Sequence, residues 1–221
     1  MVGSGGVLGR DICHEFAAAG YKTVGLRRRG SEAKNDSAIP TQYCDLEDAI
    51  DTRKAIEKVV SETGRVDVLV CNTAHLIVAP FLDLTIDDFR KSWNASLTSA
   101  IVSAQTVLPG MLENGKGAIL FSGATASMRG SSRFGAFSAA KFALRGLAQS
   151  MAREYQTHGV HVVHVVLDGL LRGSASVERF GGRAESAMDT AQIAKTYVAL
   201  AEQSGTAWTH EIDLRPQGEK F

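Results

Sequence analysis

Apolar positions along this chain switch repeatedly between a helical and a strand period. Leu8, Ile12 and Phe16 stand four apart and predict a helix ending near Gly20. Runs 23–26 and 41–44 predict short strands, and 66–71 is apolar except for Asp67. Near-continuous apolar runs suit strands buried on both faces of a parallel sheet. Asp45 is placed to cap a helix whose apolar face is Leu46, Ile50, Ile56, Val59 and Val60. Thr85 and Asp88 form a capping box for a long helix reaching about Leu112. Strand 118–121 and helix 137–156 follow, then strand 160–167 and an irregular segment, 169–187. A helix through Ile193, Tyr197 and Leu200 and a final strand, 208–214, complete the pattern. This alternation predicts an α/β fold, a single doubly wound domain over residues 1–221 with a mostly parallel, seven-stranded sheet. Only Met1 and Val2 precede the first glycine. A strand normally has about five or six residues, so the first strand is expected to be truncated.

Composition narrows the function classes. The 221 residues hold 24 Lys plus Arg against 24 Asp plus Glu, a net charge of zero. Nucleic-acid and membrane-surface binders draw on a basic excess, so neither partner is expected. No stretch approaches the roughly 18–20 uninterrupted apolar residues of a membrane-spanning helix. The opening residues lack the apolar core of a signal peptide, and a cytoplasmic location is expected. Cys13, Cys44 and Cys71 are far apart and form no metal-ligand spacing. His161 and His164 lie three apart on a strand, face opposite sides and cannot share a metal. No metal site is expected.

The loop Gly3-Ser4-Gly5-Gly6-Val7-Leu8-Gly9 leads directly into the first helix. Glycines there permit a tight turn and close backbone approach to a pyrophosphate, whose charge the helix N-terminus stabilises. At the head of an alternating chain, the loop points to a dinucleotide and a Rossmann-type domain. The end of the second strand carries Arg27, Arg28 and Arg29, with Arg10 after the loop and no carboxylate. Basic residues there suit the 2′-phosphate of NADP, whereas an acidic residue suits the ribose of NAD. NADP(H) is the preferred cofactor on this reading, with NAD(H) as the alternative.

Taken with these features, Cys44-Asp45-Leu46, Val70-Cys71-Asn72-Thr73-Ala74, Ser138-Ala139-Ala140-Lys141 and Asp168-Gly169 occur in an order and spacing that resembles the short-chain dehydrogenase/reductase family. The resemblance extends over essentially the whole chain. It implies hydride transfer between a nicotinamide cofactor and a small carbonyl or alcohol substrate. It also implies that Asp45 bonds the adenine amino group, that Leu46 flanks the ring, and that Asn72 and Ala74 lie beside the cofactor. Lys141 would hold the nicotinamide ribose, and Asp168 and Gly169 would border the nicotinamide. Helices near 93–112 and 137–156 would form a homodimer or homotetramer interface.

The family's catalytic group is Asn, Ser, Tyr and Lys, with Tyr and Lys four apart on one helix face. In this chain only Lys141 matches. Phe137 stands at the Tyr position, Ala124 at the Ser position and Ser96 at the Asn position. Val7 replaces a loop glycine, Asp168 a proline, and Gly173 a threonine. Ser127, Ser131, Ser132 and His75 are in segments that border such a pocket, and structural roles are expected for them. Ser138 is expected to point away from the phenol's direction, and Tyr155 to lie too far along the helix. Asp168 is expected to cap the turn that follows it, with a proton relay as the other reading. The segment 170–187 reads as a short substrate lid whose Arg172, Arg179 and Arg183 hint at an anionic substrate. Two functions remain open: an NADP-dependent oxidoreductase with a modified proton path, and a non-catalytic dinucleotide-binding protein with a regulatory or scaffolding role.

Overall fold

The computed structural model describes residues 1–30, 38–182 and 184–218. Six strands form the sheet: β1 Gly25–Arg27, β2 Thr41–Tyr43, β3 Val68–Cys71, β4 Gly117–Ser122, β5 Val160–Leu167 and β6 Glu211–Leu214. β1 pairs with β2, and β3, β4, β5 and β6 pair in that order, all in parallel. Val2 joins the two groups by parallel bridges to Leu26 and Cys71. Val2 N donates to Val70 O at 2.8 Å, and Leu26 N donates to Met1 O at 2.7 Å. The expected leading strand is thus one residue long, and the sheet reads β2–β1–Val2–β3–β4–β5–β6.

Alternation along the strands sorts the core into two layers. Leu69, Cys71, Ile119, Phe121 and Val162 face helices α2 (Ala49–Thr63), α4 (Ser99–Asn114) and α5 (Gly135–Tyr155). Val70, Ala118, Leu120, Val163 and Val165 face α1 (Val7–Ala18) and the later helix Thr190–Ala201. All eight residues of β5 are buried, as a strand covered on both faces requires.

The local signals met mixed outcomes. Thr85 and Asp88 form the expected reciprocal cap at the start of α3 (Ile86–Trp93). The cap of α2 is Asp48, whose carboxylate accepts from Ile50 N and Asp51 N at 2.8 and 2.9 Å. Asp45 instead accepts from Glu47 N, so the helix begins later than expected and leaves Ile50 67% exposed. The final strand is shorter than expected, beginning at Glu211 because Trp208 turns back to stack on His161.

The run Ile86–Asn114, 29 residues with a π turn at Asn94–Thr98, is apolar and long enough by composition to cross a bilayer, against the expectation from sequence. Of its apolar window, 61% is buried within the fold, where it packs against α2 and α5. Cys13, Cys44 and Cys71 are buried thiols, and no disulfide joins them. No cluster of three metal-ligating side chains occurs among the described residues.

Candidate functional site

The glycine turn follows directly from the Val2 bridge. Gly3 has a φ of 87°, and a Cβ there would stand 2.5 Å from Asn72 O. At Gly9 it would stand 2.3 Å from Gly3 O. Both positions therefore need glycine, because the contacts are with backbone. No side chain caps α1, so its first N–H groups are left for another partner. Over this turn opens a cavity of about 860 Å³ that reaches Gly3, Gly5 and Gly6. Ser4, Leu8 and Gly9 lie buried beneath the turn, with Ser4 Oγ donating to Leu26 O at 3.2 Å. The tight glycine turn, the uncapped helix start and the cavity over them fit a pyrophosphate.

Arg27 and Arg28 line one end of the cavity, with Leu46, Asn72 and Ala74 nearby. Arg27 is 5% exposed and donates to Tyr43 Oη at 3.4 Å across the β1–β2 pair. The guanidinium carbons of Arg27 and Arg29 lie 5.5 and 5.3 Å from the Tyr43 ring centroid. Glu47, which sequence reasoning missed, also lines this end. It lies 3.6 Å from Arg28 Nη1 and 2.8 Å from His75 Nδ1. Asn72 Nδ2 donates to Gly3 O at 3.4 Å, joining the loop to the end of β3. Asp45 is exposed and outside the cavity wall, its carboxylate engaged by Glu47 N.

At the other end, Lys141 is buried in the wall with Phe137 four residues earlier. Its Nζ donates to Ser122 O at 2.9 Å and to Thr73 O at 3.2 Å, leaving a third N–H. Burial pulls the ammonium pKa down to about 8. The Phe137 ring centroid lies 5.9 Å from Nζ. Ala124 also lines this end, so neither family hydroxyl position supplies a donor.

Ser96 is buried in the π turn, outside the wall. Ser138 borders the cavity one turn before Lys141, with its Oγ buried. Among the described residues, Oγ of both serines is buried without a hydrogen-bond partner.

Asp168 does not cap its turn. Its carboxylate accepts from Thr125 Oγ1 and lies 3.0 Å from Arg215 Nη2 and 3.8 Å from Arg129 Nη2. Those three partners come from segments far apart in the chain and carried no sequence signal. Gly169 lines the cavity and Asp168 does not. Ser127 accepts from Ala124 N at 3.1 Å, a structural role, and Ser131 lies at the exposed rim. Tyr155 packs at the far end of α5. His164 bonds Glu211, whose carboxylate is also held by Arg145 at 2.7 Å.

The lid contains α6 (Ala175–Arg179), and a bridge between Leu171 and Met188 closes its base. Gly173 comes close to Val7: a Cβ at Gly173 would meet Val7 Cγ2 at 3.7 Å. Arg172 pairs with Asp189 at 3.1 Å, and Arg179 lies 5.7 Å from the Phe180 ring centroid. Neither lines the cavity, which removes their support for an anionic substrate. Arg183 lies outside the described residues.

The family described as short chain dehydrogenase matches residues 1–175. L-xylulose reductase of Mesocricetus auratus is 32% identical over 169 residues, covering 73% of this chain and 67% of that protein. Carbonyl reductase [NADPH] 2 of Sus scrofa is 30% identical over 167 residues, covering 73% and 67%. The chain thus spans about two thirds of the length of these curated relatives. A solved short-chain dehydrogenase from Rhodopseudomonas palustris is 31% identical, with a TM-score of 0.81 over 97% of this chain and 96% of that one. The glycine cradle, the all-parallel sheet and Lys141 in the cavity wall agree with these matches, and the chain belongs to the short-chain dehydrogenase/reductase family.

Proposed function

We propose that the chain binds NADP(H) in this cavity and transfers hydride to or from a small carbonyl or alcohol substrate, with Lys141 in place of the missing phenol. The observation that carries this reading is Lys141 Nζ, anchored by two backbone carbonyls with one N–H left at the cavity wall. The nucleotide, when bound, supplies or accepts the hydride. Gly3, Gly5, Gly6 and the uncapped start of α1 would hold its pyrophosphate. Leu46 and Ala74 would flank the adenine side, and Arg27 and Arg28 would meet the 2′-phosphate. The Glu47 carboxylate works against that phosphate, yet Arg28 approaches it and offsets its charge, and His75 Nδ1 lies within hydrogen-bond distance of it.

The remaining N–H of Lys141 would carry the substrate's proton, and holding the nucleotide ribose as well would require Lys141 to release Thr73 O or Ser122 O. A pKa of about 8 keeps it mostly protonated at neutral pH and able to give up its proton. Reduction would then slow as pH rises through about 8, and oxidation would speed up. Replacing a positioned phenol costs about 10²–10⁴ in rate, so slow turnover is expected. The test is NADPH-dependent reduction of a carbonyl panel by the native chain and by Lys141→Met. Measurable native turnover that Lys141→Met abolishes, with NADPH still bound, supports the reading. Turnover untouched by Lys141→Met overturns it.

Phe137 and Ala124 favour the second reading, a nucleotide-binding member of the family without turnover. Tight NADPH binding with no reduction of any carbonyl tested would establish that reading. On either reading, the faces of α4 and α5 are the proposed contact between copies of the chain.

A further inference from the structure

We propose that the reacting end of the cavity is an aromatic-walled subsite for a flat, apolar ketone or aldehyde, and that it rejects sugars and polyols. The proposal deepens the nucleotide-site reading above and rests on it for the position of the reacting end. Phe134 and Phe137, from the start of α5, and Phe180, from the lid, all line this end. The Phe134 and Phe180 ring centroids stand 5.8 Å apart at an interplanar angle of 32°, so the two rings pack on each other and form one apolar wall. Leu76, Leu170 and Leu171 supply aliphatic walls beside them. A wall of packed rings presents apolar surface to the cavity, which suits a flat apolar ligand lying against it.

The polar groups at this end are few, and most are already engaged. Of the charged residues that line the cavity, Arg27, Arg28 and Glu47 belong to the opposite end, which leaves Lys141. Thr125 Oγ1 donates to Asp168, and Ser174 Oγ donates to Leu171 O at 2.7 Å. On α5 one donor remains, the third N–H of Lys141; Ser138 Oγ, one helical turn earlier, has no hydrogen-bond partner but is itself buried. One donor meets the single polar atom of a ketone or aldehyde, its carbonyl oxygen.

A sugar brings several hydroxyls for the same group. Each hydroxyl stripped of water without a partner weakens binding by about tenfold. Discrimination against a ketopentose therefore comes from the apolar walls, with no clash required.

The test uses the full chain saturated with NADP⁺, so that binding is read without turnover. Calorimetric titrations compare 2-acetonaphthone with L-xylulose on the native chain and on Phe180→Ala, a partly exposed lid residue. The naphthyl ketone is expected to bind at least about tenfold more tightly than the sugar. Phe180→Ala is expected to weaken the ketone about two- to tenfold more than it weakens NADP⁺. Equal or tighter sugar binding, or ketone affinity unmoved by Phe180→Ala, overturns the proposal. Should NADP⁺ fail to bind, the nucleotide reading falls by itself, and the ketone is titrated into the chain alone. Binding that Phe180→Ala weakens then still supports the aromatic subsite, and no ketone binding in either form overturns it.

Discussion

Restoring a hydroxyl through Phe137→Tyr asks whether the lost phenol is what limits this site. Phe137 is half-buried in the cavity wall, with Lys141 Nζ 5.9 Å from its ring centroid. The substitution keeps the ring and the helix and adds one donor beside an ammonium. At a separation of about 4 Å and an effective dielectric constant of about 20, the ammonium favours a phenolate by about 4 kcal/mol. That equals about three pKa units, enough to bring an ordinary tyrosine from about 10 to about 7. Such a group is matched to neutral pH, where a positioned acid contributes about 10²–10⁴ in rate. Loss of NADPH absorbance, with 2-acetonaphthone and L-xylulose tested in parallel, measures the effect. Phe137→Tyr is expected to exceed the native rate by about 10²–10⁴ on at least one substrate. Adding Ala124→Ser is expected to raise it again by supplying a carbonyl donor. An unchanged rate in a variant that binds NADPH as the native chain does would refute the reasoning, because the missing phenol would not be the limit.

Four further outcomes follow from particular contacts. Arg28→Ala should weaken NADPH by about five- to tenfold in a fluorescence titration, a modest loss because the side chain is exposed, while NADH affinity stays level. Gly9→Ala should lower stability by about 1–3 kcal/mol in chemical denaturation, since its Cβ meets the Gly3 carbonyl. Burial holds Lys141 at about 8 against 10.5 unfolded, so the unfolded chain binds more protons between those values and native stability rises with pH there. Native stability minus that of Lys141→Met should accordingly rise by about 3 kcal/mol across that window, and a flat difference would contradict the assignment. His164 is held at about 4 by burial against 6.5 unfolded, so its contribution is lost as pH falls from about 6.5 through about 4. His164→Gln should flatten the acid limb of the stability profile over that range.

The elements were legible where a period or a backbone constraint repeats. β4 and β5 declared themselves by near-continuous apolar runs, and Thr85–Asp88 by a local reciprocal bond. The glycine loop was legible because a close backbone approach leaves no choice of residue. Asp45 against Asp48 was not legible. Two carboxylates three apart are equivalent in sequence, and the helix register that decides between them also sets Ile50 outside. Convergent groups were the least legible part. Glu47 meets His75 across 28 residues, and Thr125 meets Asp168 across 43, with nothing local to announce either pair. The lid arginines misled because charge in sequence does not say which way a side chain is turned. Arg172 turns to Asp189 and Arg179 to Phe180, and the lid residues that do line the cavity, Leu170, Leu171, Ser174, Ser176 and Phe180, carry no charge.

The central claim, a nicotinamide nucleotide seated on the Gly3–Gly9 turn with its 2′-phosphate at Arg27 and Arg28, is tested most directly by fluorescence titration of the purified chain with NADPH and NADH in parallel. The account predicts saturable binding of both, with NADPH tighter and its advantage shrinking as salt screens the arginines. Absence of saturable binding, or NADH binding more tightly than NADPH, would contradict it.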